Sequence, residues 1–140
     1  MAEMAGPSLE LMEGKTYLTP QQSYSTEYLF QLTEAVQSGD QEQVELWLKL
    51  ISKNLAEFTS STLPRLRSLL DMERFADPDT EFPDQVQYLI TRGLAGYEEG
   101  LAAMRGGALE AGLKQLQEGN DNLVLGLGMV ADRKAELENT

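Results

Sequence analysis

The chain of 140 residues contains neither cysteine nor histidine, and these two absences exclude several kinds of chemistry. Without cysteine there is no disulfide bond, no thiol nucleophile and no thiolate metal site. Without histidine the chain lacks the most common general base and the most common transition-metal ligand of proteins. The sequence also has no Gly-x-Ser-x-Gly motif and no glycine-rich loop ending in Gly-Lys-Ser or Gly-Lys-Thr. We therefore expect no enzymatic activity, no metal site and no cofactor.

Basic residues are scarce as well, because 11 lysines and arginines stand against 23 aspartates and glutamates, for a net charge of −12. Nucleic acids and anionic membrane surfaces both require a basic contact surface, so we expect neither as a partner. Long hydrophobic runs are also missing: the longest stretch without a polar side chain, LVLGLGMVA at 123–131, is too short to span a bilayer. The first residues lack the basic start and continuous apolar run of a signal peptide, so a cytoplasmic protein is predicted.

No run of the sequence alternates apolar and polar residues with the two-residue period of a half-buried strand. Apolar residues instead recur at steps of three and four, which is the period of amphipathic helices. The pattern predicts an all-α fold: an up-and-down bundle of four main helices in one domain, residues 19–140, preceded by a loose N-terminal arm, residues 1–18. The predicted helices cover about residues 20–37, 40–72, 83–105 and 107–136.

Individual residues indicate where these helices begin and bend. Thr19 is the expected N-cap of the first helix, and Asp40 with Gln43 forms a predicted capping box for the second. Pro64 removes a backbone donor and crowds the preceding turn, so the second helix is expected to kink near this residue. Trp47 lies on the apolar side of the same helix and is assigned to the core, with its indole N–H bonded at the core edge.

Glycine is abundant where helices are predicted. Seven of the twelve glycines lie in residues 92–119, although the apolar residues around them keep helical spacing. A glycine in a helix interior costs about 1 kcal/mol relative to alanine, so the six mid-helix glycines of the last two helices cost about 6 kcal/mol. That sum is comparable to the whole stability of a small domain. A compensating contact is therefore expected.

The spacing of these glycines indicates where the compensation arises. Six glycines of the predicted hairpin form two series with seven-residue steps. Seven residues are close to two full helical turns, so each series forms a stripe on one helix face. In an antiparallel hairpin spanning residues 84–135, with its turn at Gly106 and Gly107, the stripes face each other and allow close backbone contact. The predicted seam consists of Gly93, Gly100, Gly107, Gly112, Gly119 and Gly126.

Three interpretations of this seam are open from the sequence. The hairpin is purely structural, or it is compliant and repacks when a partner binds. In the third interpretation the last helix is broken near residues 119–122, where Asn120 and Asp121 compete with the helical backbone. If the helix is continuous, Asn120 is a lone polar residue on a leucine face, which in coiled coils fixes register or oligomeric state.

Residues 122–131 carry more apolar surface than one core-facing stripe requires. A helix that is apolar all round needs cover on every side. We expect a homodimer to bury this surface, and cover by the N-terminal arm is an equal alternative. The candidate partner or dimer surface consists of Val124, Leu125, Gly128 and Met129.

These observations favour a non-enzymatic protein–protein interaction module: a small acidic adaptor, regulator or chaperone-like protein that acts as a homodimer. Its protein partner is not identified by any motif. The alternative function is a ligand- or metal-binding helical bundle with an aromatic-lined cavity. The residues expected to line that cavity are Tyr24, Tyr28, Trp47 and Tyr97.

Overall fold

The computed structural model describes the backbone of residues 18–138 and the side chains of residues 25–138. This part of the chain forms four helices and contains no strand, which confirms the predicted all-α bundle. Helix α2 consists of two α-helical halves, α2a and α2b, joined by one π-helical turn. The elements are α1 Leu18–Ser38, α2a Gln41–Glu57, the π turn Phe58–Thr62, α2b Leu63–Ala76, α3 Phe82–Arg105 and α4 Leu109–Glu138.

The connection between α1 and α2 is a tight two-residue turn. Gly39 takes a left-handed backbone conformation with a φ of 73°, which ends α1 at little steric cost. Asp40 caps α2, because its carboxylate accepts a hydrogen bond from the Gln43 backbone N–H at 3.2 Å. The return bond of a full capping box is not made: the Gln43 side chain instead accepts a hydrogen bond from the indole of half-buried Trp47 at 3.2 Å.

The kink expected near Pro64 takes the form of the π turn. The Leu63 backbone N–H bonds to the carbonyl of Phe58, five residues earlier, so the helix widens just before the proline. This wider turn accommodates the missing donor of Pro64, and the helix continues to Ala76, four residues beyond its predicted end. The last turn of α2b is largely exposed, which is why apolar periodicity did not reveal it.

Each helix packs against the next in sequence, and α1 also packs against α4, which closes the up-and-down bundle. The α3–α4 pair has the most extensive contact. The core between the helices is formed mainly by leucine, isoleucine and valine. Its most deeply buried aliphatic side chains are Leu32, Leu70, Val86, Ile90, Leu116 and Val130.

The predicted start of the first helix changes. Thr19 is not an N-cap, because α1 already includes Leu18 and therefore has Thr19 inside it. The predicted N-terminal arm, residues 1–18, lies outside the described residues except for Leu18. The interpretation that the last helix is broken at residues 119–122 is wrong, because α4 is helical throughout. The Asn120 side chain is hydrogen-bonded to other side chains. Within the described residues, no helix is both long and apolar enough to cross a bilayer.

Candidate functional site

The facing surfaces of α3 and α4 meet at backbone distance. A Cβ atom built on Gly100 would lie 2.7 Å from the Leu116 Cγ atom and 2.8 Å from the Gly112 carbonyl oxygen. One built on Gly119 would lie 2.7 Å from the Gly93 carbonyl oxygen and 3.0 Å from the Tyr97 nitrogen. These separations are too short for real Cβ atoms, so the two helices pack this closely only because glycine has no side chain.

The seam also includes a glycine outside the seven-residue series. Gly96 faces Gly119, and a Cβ on Gly96 would lie 2.8 Å from the Gly119 Cα atom. Gly126 is less confined, since its nearest neighbours at 3.1–3.2 Å are the Ile90 and Leu89 side chains rather than backbone. At Gly112, near the turn, a Cβ would lie 2.8 Å from the Gly100 carbonyl oxygen, and at Gly93 it would lie 2.9 Å from the Gly119 carbonyl oxygen. The contact is thus tight from the turn to Gly93 and looser at Gly126, toward the start of α3.

Gly107 does not belong to the seam. It lies in the turn with a φ of 95°, and a Cβ built on it would meet no heavy atom within 4 Å. Its seven-residue spacing from Gly100 is therefore coincidental: α3 ends at Arg105, so Gly107 is past the end of the stripe. Its role is to supply a left-handed backbone conformation, which glycine adopts without penalty.

A buried hydrogen-bond cluster lies beside the seam and joins three helices. Asn120 on α4 is 5% exposed, and its Oδ1 atom accepts hydrogen bonds from the Tyr97 hydroxyl on α3 at 2.8 Å and the Ser25 hydroxyl on α1 at 2.7 Å. Its Nδ2 atom donates to the Thr26 hydroxyl at 3.2 Å. The lone polar residue that the sequence placed on the leucine face therefore fixes the position of α1 against the hairpin. Its partners were not predicted, since they lie 23 to 95 residues away in the chain.

Burial shifts the acid–base behaviour of this cluster. It raises the pKa of the Tyr97 phenol far above its ordinary value, and the nearby Asp121 carboxylate acts in the same direction. The hydrogen bond with Ser25 opposes this shift without reversing it. Tyr97 is therefore a neutral hydrogen-bond donor at physiological pH, and nothing in the cluster favours its use as a base or nucleophile.

The aromatic residues assigned to a ligand cavity are only partly brought together. Tyr28 and Tyr97 line a small cavity of about 20 Å³, which has room for a water molecule. Small-molecule sites are typically about 300–1,000 Å³, so this cavity gives no support to the ligand-binding alternative. Trp47 packs against the Tyr28 ring, with centroids 5.7 Å apart, and is not among the residues that line the cavity. The side chain of Tyr24 lies outside the described residues.

The four residues of the predicted partner surface face two directions. Val124 lines the cavity beneath α1, and Gly128, one turn later on the same side of α4, is half-buried. Leu125 is 57% exposed, and Met129, also one turn later, contributes to a groove with α3. The sequence did not separate these pairs because it does not specify which side of α4 is covered by α1.

Two residues of α3 extend the surface formed by exposed Leu125 and half-buried Met129. Tyr88 is 61% exposed, and both Tyr88 and Leu89 line the groove with Met129. The Arg92 guanidinium lies 5.7 Å from the centre of the Tyr88 ring. We call the surface formed by Tyr88, Leu89, Arg92, Leu125 and Met129 the outer face of the hairpin. The apolar residues on either side of Gly93 in the sequence indicated this outer face. Only the antiparallel pairing of α3 and α4, however, places Tyr88 near Met129.

No metal centre accompanies these features in the part of the chain that the structure describes, since no three acidic side chains there are grouped to hold an ion. No protein-family model matches the sequence, and comparisons with curated proteins and with solved structures find no match either. Its function is accordingly inferred from the residues and contacts described above.

Proposed function

We propose that this chain is a non-enzymatic protein–protein interaction module that acts as a homodimer through the outer face of the α3–α4 hairpin. The observation that carries the proposal is the exposure of Leu125 and Tyr88, 57% and 61%, on one continuous side of the hairpin. Exposed apolar patches bordered by charged residues are typical of protein interfaces. A cytoplasmic location stays a prediction from the sequence.

The charges of the outer face suit pairing with a second copy. Asp84 and Arg92 lie four residues before and after Tyr88, on the same side of α3, and both are exposed; Asp84 also lines the groove with Met129. Asp84 pairs with Arg74 on α2b at 3.1 Å, an exposed contact of a kind that contributes little to stability. In a two-fold interface each contact occurs twice, with the two residues exchanged between subunits. If two α3 helices cross antiparallel at Tyr88, Arg92 of each subunit comes opposite the partner subunit's Asp84. Such pairs oppose the repulsion between two chains of net charge −12.

Sedimentation equilibrium of the wild-type chain and of Leu125→Glu tests this proposal. The wild type is expected to have twice the chain mass, and the variant the mass of one chain, because a buried unpaired carboxylate opposes association. Leu46→Glu is the matched control: Leu46 on α2a is also an exposed leucine, 43% exposed, and its substitution is expected to preserve the dimer. A monomeric wild type, or a dimeric Leu125→Glu variant, would contradict the proposed interface.

A charge exchange tests the two-fold arrangement separately. Arg92→Asp alone is expected to weaken the dimer about tenfold, because it places two like-charged pairs across the interface. Adding Asp84→Arg restores opposite charges across the interface, and Arg74→Gln is included because Arg74 pairs with Asp84 in the wild type and would repel the new arginine. This triple variant should recover most of the affinity. Its failure to do so would argue against the antiparallel crossing at Tyr88.

A further inference from the structure

A groove separate from the outer face runs between α1 and α4, with a volume of about 570 Å³. Leu29 and Asn120 are buried along it, and Gln117 and Thr33 approach each other across it at 3.5 Å. Phe30 lines one side and is 57% exposed, so part of its ring is open to solvent. The groove therefore offers a partly covered aromatic ring beside polar side chains that are held in place.

The ionisable residues that line this groove are both acidic: Glu34 on α1 and Asp121 on α4. Helix α1 has a second glutamate, Glu27, and contains no lysine or arginine. Toward the start of α4, the exposed positions on the same side as Asp121 carry two acids and one base. These positions are Glu110, Lys114 and Glu118.

We infer that this groove binds a basic amphipathic helix of a partner protein, with an apolar side chain against Phe30 and lysines or arginines paired with Glu34 and Asp121. The inference rests on the proposed function, since it assigns a class of partner to the interaction module, but it concerns a different surface from the dimer interface. Amphipathic helices bind in grooves of this kind through apolar anchors spaced three and four residues apart.

The acidic lining of the groove argues against two other occupants, a second copy of the chain and residues 1–17 of the same chain. In a two-fold pairing through this groove, the Glu34 and Asp121 carboxylates of one copy would face those of the other, and the groove lining supplies no cation to pair with them. Residues 1–17 contain three glutamates and one lysine, so this segment offers fewer cations than anions to the groove carboxylates. A cationic segment gains from both groove carboxylates and from the field of the whole chain.

The test uses a fluorescein-labelled peptide, LKKLLKLLKKLLKL, and a counterpart in which every lysine is replaced by glutamate. Fluorescence anisotropy with the full-length chain is expected to show binding of the lysine peptide and none of the glutamate peptide. Glu34→Lys with Asp121→Lys should weaken binding at least about tenfold, because both attractive pairs become repulsive. Circular dichroism confirms that the variant remains helical.

The matched control reverses two acids elsewhere. Glu45→Lys with Glu57→Lys gives the same net charge on exposed positions of α2a, outside the groove, and should change binding by less than about twofold. Equal weakening by both double variants would mean that the net charge alone attracts the peptide, and would overturn the inference. Leu125→Glu is expected to bind the peptide like the wild type, so failure of the dimer proposal and failure of this one are distinguishable.

A photoreactive residue identifies the occupant directly. With p-benzoylphenylalanine in place of Phe30, irradiation in the presence of the lysine peptide is expected to yield a cross-link to that peptide, located by mass spectrometry. A cross-link to residues 1–17 or to a second copy of the chain, in preference to the peptide, would overturn the inference and name the occupant instead.

Discussion

The two halves of the bundle reach close packing in opposite ways. In the α3–α4 hairpin the two backbones are in contact at glycine residues. These residues have no side-chain atoms that a substitution could remove. Helices α1 and α2 are instead held apart by large side chains, such as fully buried Leu32 and the Tyr28–Trp47 ring pair. The hairpin is therefore sensitive to added atoms, and the α1–α2 half is sensitive to deleted ones.

This difference also separates specificity from bulk stability. The seam aligns α3 and α4 at one register, because its central glycines fit between atoms of the facing helix that leave no room for a side chain. Gly100, for example, lies against both the Gly112 carbonyl oxygen and the Leu116 side chain, and a shift in register would place a larger residue there. The packing of α1 against the hairpin relies on a directional element, the Asn120 cluster, because leucine-rich surfaces alone tolerate several arrangements. Four substitutions, taken from the largest expected effect to the smallest, test this comparison.

Gly100→Leu should have the largest effect, a loss of at least about 4 kcal/mol of unfolding free energy, because four carbons must enter a backbone contact. Urea denaturation followed by circular dichroism measures this loss. Gly106→Leu is the control: a Cβ at Gly106 meets only carbonyl oxygens at 3.5 Å, and this residue is exposed. Equal stability of the Gly100 variant and the wild type would show that the helices do not touch there.

Leu32→Ala tests the other half and should cost about 3 kcal/mol, since the side chain is fully buried and its removal leaves a cavity. The same urea titration measures it. Leu46→Ala, at an exposed position on α2a, should change stability by less than about 0.5 kcal/mol. If Leu32→Ala were as mild as this control, packing in the α1–α2 half would be loose, and the comparison between the halves would fail.

Gly119→Ala is a finer test of the seam, with an expected loss of about 2 kcal/mol. Its new methyl group would meet the Gly93 carbonyl oxygen at 2.7 Å, and backbone cannot move aside without parting the helices. Gly126→Ala is the matched control within the same helix and should lose less stability, because its nearest neighbours are the Ile90 Cδ1 atom at 3.1 Å and the Leu89 Cβ atom at 3.2 Å rather than backbone. The higher helix propensity of alanine offsets small shifts of these side chains. Equal losses at both positions would contradict the gradient of tightness along the hairpin.

The sequence predicted the elements that depend on local periodicity and spacing. Four helices and the cap at Asp40 follow from short-range rules, and the structure confirms them. Gly107 lies in the turn, as predicted, but was wrongly assigned to the seam as well, because spacing alone does not reveal where a helix ends. The π turn before Pro64 was predicted only as a kink, since the choice between a break and a wider turn depends on the packing of both halves of α2.

The residues around the candidate surfaces were harder to predict. Val124 and Leu125 were grouped because they are adjacent and apolar, yet adjacent helical residues point about 100° apart, and the position of α1 covers one side. The Tyr97–Asn120–Ser25 cluster joins residues up to 95 positions apart. No periodicity in one sequence encodes such a contact, because it arises only when three helices are assembled.

Tyr97→Phe should have the smallest effect at neutral pH, about 1 kcal/mol, because Asn120 keeps its bond from Ser25 when the phenol is lost. Its pH dependence carries more information. Burial raises the pKa of Tyr97 in the folded state, whereas the unfolded chain has the ordinary value of 10.0. Above pH 10.0 the unfolded chain releases this proton and the folded chain retains it, so stability falls as the pH rises.

The slope of unfolding free energy against pH isolates this contribution. Above pH 10.0 the wild type should lose up to about 1.4 kcal/mol per pH unit more than Tyr97→Phe, while from pH 7 to 9 the two curves should stay parallel. Every other ionisable group is present in both proteins, so the difference between the slopes reports Tyr97. Identical slopes above pH 10.0 would mean that the phenol is not buried at the junction of α1 with the hairpin.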